Sequence, residues 1–184
     1  PQNPQGAAAE LERAVKTLGL KGAIINSHTH GEYLDDKKFW PIFEAAQSLD
    51  VPIYLHPREP GPGMAGPLGM PGFRVAWGYG VETGTHVMRL IAGGVFDAFP
   101  RVTLVIGHMG ESIPFTLERI DNRYLWELEI GGFARPLQPL QCPFFRENII
   151  VTTSGKNYRQ PLMLTIELLG IDNLLFPSDW PFEK

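Results

Sequence analysis

Cysteine occurs once in the 184 residues, at Cys142. An internal disulfide is therefore excluded, and a reducing, cytoplasmic setting is expected. Basic blocks are missing as well: 16 Lys and Arg stand against 20 Asp and Glu, for a net charge of −4. Nucleic acid and anionic membrane surfaces are poor partners for such a chain. No apolar run approaches the roughly 18 residues needed to span a bilayer. The N-terminal "PQNPQGAAAELERAV" has neither a signal-peptide pattern nor an initiator Met. No glycine-rich phosphate-binding fingerprint follows any apolar run, which removes the common nucleotide-binding classes. What remains is a chain 43% hydrophobic and 20% charged, enough for one sizeable core.

Five short apolar runs recur: Gly22–Asn26, Pro52–His56, Thr103–His108, Asn148–Ser154 and Asn173–Asp179. They are continuous rather than alternating, as parallel strands buried on both faces should be. Helical spacing fills the intervals. Leu11, Ala14, Val15 and Leu18 make one stripe closed by Gly19, and Phe39, Ile42, Phe43 and Ala46 make another. Further helices are expected at about Val81–Phe96, Pro114–Leu128 and Pro161–Leu169, the last closed by Gly170. Right-handed crossovers turn this order into an all-parallel α/β fold. Polar residues crowd the C-terminal strand ends, the active-site face of a (β/α)8 barrel. Five strands do not close such a barrel. The expectation is a single partial TIM-barrel domain over residues 1–184, with about three strands before Pro1 and a last helix after Lys184. The Pro/Gly-dense His56–Gly72 reads as a lid or subunit-contact loop, and Gly131–Asn148 as a second long excursion.

Three strand-end groups invite chemistry. His56, followed by Pro57, is either a metal ligand or a hydrogen-bonded structural histidine. His108 has Glu111 three residues on, at the expected opening of a helix. A carboxylate there orients an imidazole for general acid/base work, or merely complements the helix N-terminus. Asp179 after "LLFPS" calls for a metal or proton partner, or else caps a helix. Arg119 and Arg123 share a helix face and suit carboxylate recognition or an ion pair. Trp180 and Phe182 suit an aromatic pocket wall or core packing equally. His86 reads as structural, and Cys142 has no obvious base beside it. "INSHTHGEYLDD" places His28 and His30 two apart after a strand, as a metal-gripping pair would be. Yet a helix precedes that strand and only four strands follow, so it does not begin a barrel as a first-strand pair would.

Taken in order, "YLHPR", "IGHMGE" with "ERIDNR" behind it, "TTSG" and "SDWPFE" resemble the amidohydrolase-related metal-dependent decarboxylases. That family acts on γ-resorcylate, 2,3-dihydroxybenzoate, 5-carboxyvanillate and aminocarboxymuconate semialdehyde. The likeness covers essentially the whole chain. It implies His56 and Asp179 as metal ligands, His108 and Glu111 as the acid/base dyad, and Arg119 and Phe182 as substrate-pocket residues. For the His28 and His30 segment it implies a pocket loop leading into a helix at Asp36. It also implies one divalent ion, Zn2+ first with Mn2+ or Mg2+ as alternatives, a small aromatic acid as substrate, and a homodimer or homotetramer. The family's other ligands, a Glu- or His-x-His pair on the first strand, would lie upstream of Pro1. Two departures are Pro177 where a small residue is expected, and "TSGKNY" for a "TSGNF"-like segment. The implied activity is reversible, non-oxidative decarboxylation of a hydroxylated benzoate. A metal-dependent hydrolase or hydratase is the rival, although Asn26 and Ser27 stand where a binuclear hydrolase often carries a lysine. A truncated chain acting as a binding module is the third reading.

Overall fold

The computed structural model describes residues 1–131 and 144–182, so Cys142 and most of the second excursion lie outside the described residues. Five strands form one sheet in sequence order, every neighbouring pair parallel: β1 Ala23–Asn26, β2 Ile53–His56, β3 Leu104–Ile106, β4 Ile149–Thr152 and β5 Leu174–Leu175. Five longer helices accompany them: α1 Pro4–Leu18, α2 Trp40–Leu49, α3 Tyr79–Gly93, α4 Leu117–Glu129 and α5 Arg159–Leu169.

Local chemistry explains the boundaries. Pro4 starts α1 behind Asn3, whose side chain accepts from the Gly6 amide, and Gly19 closes it at φ 72°. Gly94, at φ 81°, ends α3 where a helix to Phe96 is expected, and a separate turn, Val95–Ala98, follows. Before α4 the chain first makes a 3-10 turn, Pro114–Thr116. The strands are shorter than the apolar runs. β3 stops at Ile106 and β5 at Leu175, so His108 and Asp179 sit beyond the ladder on irregular backbone rather than as strand-terminal residues.

Alternate strand residues face the helices. Ile25, Ile53, Leu55, Leu104, Ile106, Ile149 and Val151 join Ile42, Phe43, Val87, Leu90 and Ile91 in one buried core. The opposite face is open at β1 and β5. Ile24 is 68% exposed there, and with Tyr54, Val105, Thr152 and Leu175 it lines a cavity of about 550 Å3. On that face Ile24 is exposed and Tyr54 half-buried whereas Val105 and Thr152 are buried, which is how a barrel-interior surface looks over part of its circumference.

The β1–α2 connection is tied down by a buried polar cluster. The Leu34 amide donates to His86 Nε2 at 3.0 Å, so the ring proton is on Nδ1 and points to Ser27 Oγ, also at 3.0 Å. Ser27 in turn donates to Glu82 Oε1 at 2.9 Å. Ser27, Glu82 and His86 are all fully buried. Burial, followed by the charges of Arg89 and His28, pushes His86 down to about 3, so it is neutral in the fold. Burial raises Glu82 despite the hydrogen bond from Ser27.

An unfolded His86 binds a proton near pH 6.5 and the folded one does not until about 3, so its contribution to stability falls with acidification across that window. Glu82 acts in the opposite sense, its contribution being lost as pH rises through its raised value. The stability gap between wild type and His86→Gln should therefore narrow by about 2 kcal/mol between pH 6.5 and 5. Urea unfolding at the two pH values measures it, and a constant gap would contradict the assignment.

Candidate active site

Parallel register brings the C-terminal ends of the strands to one edge, with Asn26 opposite His56. At the end of β2, His56 is exposed, and its Nδ1 donates to the Pro57 carbonyl at 2.8 Å. That bond places the proton on Nδ1 and leaves the Nε2 lone pair available, the arrangement a metal-binding imidazole needs.

Beyond β3 the chain does something unusual. His108, Met109, Gly110, Glu111 and Ser112 have φ of 50°, 55°, 73°, 52° and 69°. Five successive residues in left-handed conformation form a tight turn, not the helix opening expected from the sequence. Each side chain there costs roughly 1–2 kcal/mol relative to right-handed backbone. Gly110 occupies the most crowded point, where a Cβ would come within 2.8 Å of Pro114 Cδ. Surrounding contacts hold the turn. The His108 amide donates to Ser154 Oγ at 3.4 Å, Thr152 Oγ1 and Ser154 Oγ lie 2.8 Å apart, and Lys156 Nζ donates to Ser112 Oγ at 3.2 Å.

The turn sets His108 and Glu111 face to face, with Nδ1 2.6 Å from Oε1. Glu111 is buried, its side chain only 2% exposed. Burial would lower the His108 pKa, but the hydrogen bond and charge of Glu111 and the charge of Asp179 outweigh it, and the net direction is upward. The other ring nitrogen, Nε2, faces Asp179 Oδ2 at 3.9 Å. Asp179 has φ 60°, and its carbonyl accepts the Phe182 amide in a turn, so it caps no helix among the described residues. Nearby, the Thr153 hydroxyl donates to the Pro177 carbonyl at 3.2 Å, fastening the segment before Asp179 to β4.

The structure thus joins His108, Glu111 and Asp179 and places His56 on the same edge. The side chains of Arg119 and Phe182 lie apart from them: Arg119 is exposed on the first turn of α4, and Phe182, held to Asp179 through its backbone amide, is 84% exposed. His28 accepts the Gly31 amide at Nδ1 and donates from Nε2 to the Glu59 carbonyl, both at 3.0 Å. Neither ring nitrogen keeps a lone pair for a metal. His30 is exposed. Sequence reasoning missed Ser154 and Lys156 as supports of the turn, although "TTSGK" follows a strand and carries suitable donors. Among the described residues no three His, Cys, Asp or Glu side chains converge as a metal cage. His56 offers an imidazole nitrogen and Asp179 a carboxylate oxygen, donor types that suit a divalent ion.

A family model described as Amidohydrolase matches residues 1–184, and the chain belongs to that family. It is 40% identical over 196 residues to a γ-resorcylate decarboxylase of Polaromonas sp., covering all of this chain and 58% of that protein. The solved 5-carboxyvanillate decarboxylase of Sphingomonas paucimobilis superposes with a TM-score of 0.93 at 41% identity, over all of this chain and 55% of that one. A dihydroxybenzoic acid decarboxylase of Polaromonas sp., solved with manganese and the inhibitor 2-nitroresorcinol, gives 0.87 at 38% identity, over 100% and 57%. The chain therefore spans little more than half the length of these relatives, as five strands of an eight-stranded barrel would.

Removing the Glu111 charge while keeping its shape should drop the His108 pKa below its ordinary value, because burial then acts with less opposition. A histidine NMR titration of Glu111→Gln measures this, and an unchanged His108 would contradict the account.

Proposed function

We propose that the protein carries out non-oxidative, metal-dependent decarboxylation of a hydroxylated benzoate. The observation that carries this reading is the 2.6 Å His108–Glu111 pair aimed through Nε2 at Asp179, on the strand-end edge of an amidohydrolase fold. The named activities of the similar proteins support it.

In this reading His56 Nε2 and the Asp179 carboxylate help hold one divalent ion. When bound, the ion supplies Lewis-acid charge to the substrate carboxylate and an ortho hydroxyl. Zn2+ satisfies the donor types, and the manganese in the Polaromonas relative supports Mn2+ equally. Asp179 carries the proton that adds to the carboxylate-bearing ring carbon. The bond to the carboxylate then breaks, CO2 leaves, and its bonding pair restores the aromatic ring. His108, kept basic by Glu111, returns a proton to Asp179. Arg119 is the candidate for the substrate anion and Phe182 for the ring, each requiring closure around bound substrate. The exposed Met70, Phe73, Val75 and Trp77 support a subunit contact, and with it a homodimer or homotetramer. The single cysteine supports a cytoplasmic location.

Full-length protein should release CO2 from at least one of 2,3-dihydroxybenzoate, 2,6-dihydroxybenzoate and 5-carboxyvanillate. A chelator should abolish the release and Mn2+ or Zn2+ restore it. Asp179→Asn should lower kcat by about 100-fold or more. Turnover of a lactone or amide without CO2 would favour the hydrolase instead.

A further inference from the structure

Helix α3 presents glycine at two positions one turn apart, Gly80 and Gly84, to the left-handed turn. Gly80 lies inside continuous helical backbone, since a π-helical turn, Arg74–Gly78, runs directly into α3. Glycine is a poor choice there on helix propensity alone. Its surroundings supply the reason. A Cβ on Gly80 would stand 3.0 Å from Glu111 Oε2, tighter than ordinary van der Waals contact. The second carboxylate oxygen, Oε1, is the one engaged by His108, and it lies 3.7 Å from where a Cβ on Gly107 would be. Glu111 is thus lodged between the bare backbone of α3 and the bare backbone after β3. With 2% of its side chain exposed, it has little free space to retreat into. Gly84 differs. A Cβ there would meet the Glu111 carbonyl oxygen at 3.4 Å, Glu111 Cβ at 3.7 Å and Ile113 Cγ1 at 3.8 Å, all ordinary contacts.

We propose that Gly80 is a positioning residue for the His108–Glu111 pair: its missing side chain makes α3 the wall against which the Glu111 carboxylate is set. A methyl at this point moves the carboxylate off His108 Nδ1 while leaving the helix intact. The kinetic arm of the test rests on the decarboxylase reading, whereas the spectroscopic arm does not.

Gly80→Ala and Gly84→Ala are compared in the full-length protein. Both add helix propensity, so both should keep or raise Tm, by about 2–4 °C. Gly80→Ala should lower kcat by about 10–100-fold, because the displaced pair is no longer aligned. Its KM should stay within about twofold. Gly84→Ala should keep wild-type kcat. Independently of substrate, the Nδ1 proton shared by His108 and Glu111 should give a downfield proton resonance in wild type and Gly84→Ala, lost or moved upfield in Gly80→Ala. Wild-type activity and an unmoved resonance in Gly80→Ala would overturn the proposal. So would equal losses in the two variants, or a Gly80→Ala protein that fails to fold, since the methyl should displace Glu111 and not α3. If wild type releases no CO2 from any aromatic acid, the functional reading fails and the resonance alone decides the role of Gly80.

Discussion

From His108 to Ser112 the backbone keeps φ between 50° and 73°, and four of these five residues carry side chains. A left-handed turn of this kind persists only where its surroundings over-determine it. Pro114 crowds Gly110, Ser154 receives the His108 amide, Lys156 reaches Ser112, and α3 closes over Glu111 with glycines. The outcome is a histidine and a buried glutamate three residues apart held at 2.6 Å, with the free imidazole nitrogen turned to Asp179. In a right-handed helix the same spacing would stack the two side chains along one face, with no fixed direction toward the strand-end edge.

Electrostatics follow from that backbone. Burial works against a charged His108, and Glu111 reverses it. The contrast with His86 is instructive. It is buried with both ring nitrogens occupied, and burial, followed by the charges of Arg89 and His28, drives it down to about 3. One histidine is kept neutral and fastens a loop, while the other is kept basic beside a buried carboxylate. His28 also fastens a loop, its two nitrogens spent on the Gly31 amide and the Glu59 carbonyl.

Much of this is legible in the amino-acid sequence. The continuous runs Gly22–Asn26, Pro52–His56, Thr103–His108, Asn148–Ser154 and Asn173–Asp179 each hold a strand, as buried parallel pairing of successive apolar residues requires, although three of the ladders stop short, at Ile106, Thr152 and Leu175. The helix stripes followed from period, and Gly19 from its place after the last apolar residue. The left-handed turn was not legible, because its stability comes from Ser154, Lys156 and α3, which are distant in sequence. "HMGE" alone reads as a helix start. For the same reason the extra residues between strand and site at Asp179 were hidden, since a proline-containing apolar run does not reveal where its ladder stops. Arg119 and Phe182 carried expectation from the family likeness, and their exposure leaves their approach to the site dependent on what closes over it.

Under the proposed function, the edge carrying His56, Asp179 and the His108–Glu111 pair is the metal-dependent catalytic face. The most direct measurement is a crystal structure of the full-length protein grown with Mn2+, with anomalous scattering recorded above the manganese edge. A single anomalous peak is expected about 2.0–2.3 Å from both His56 Nε2 and an Asp179 carboxylate oxygen. A peak at His28 or His30, or no peak between His56 and Asp179, would contradict it.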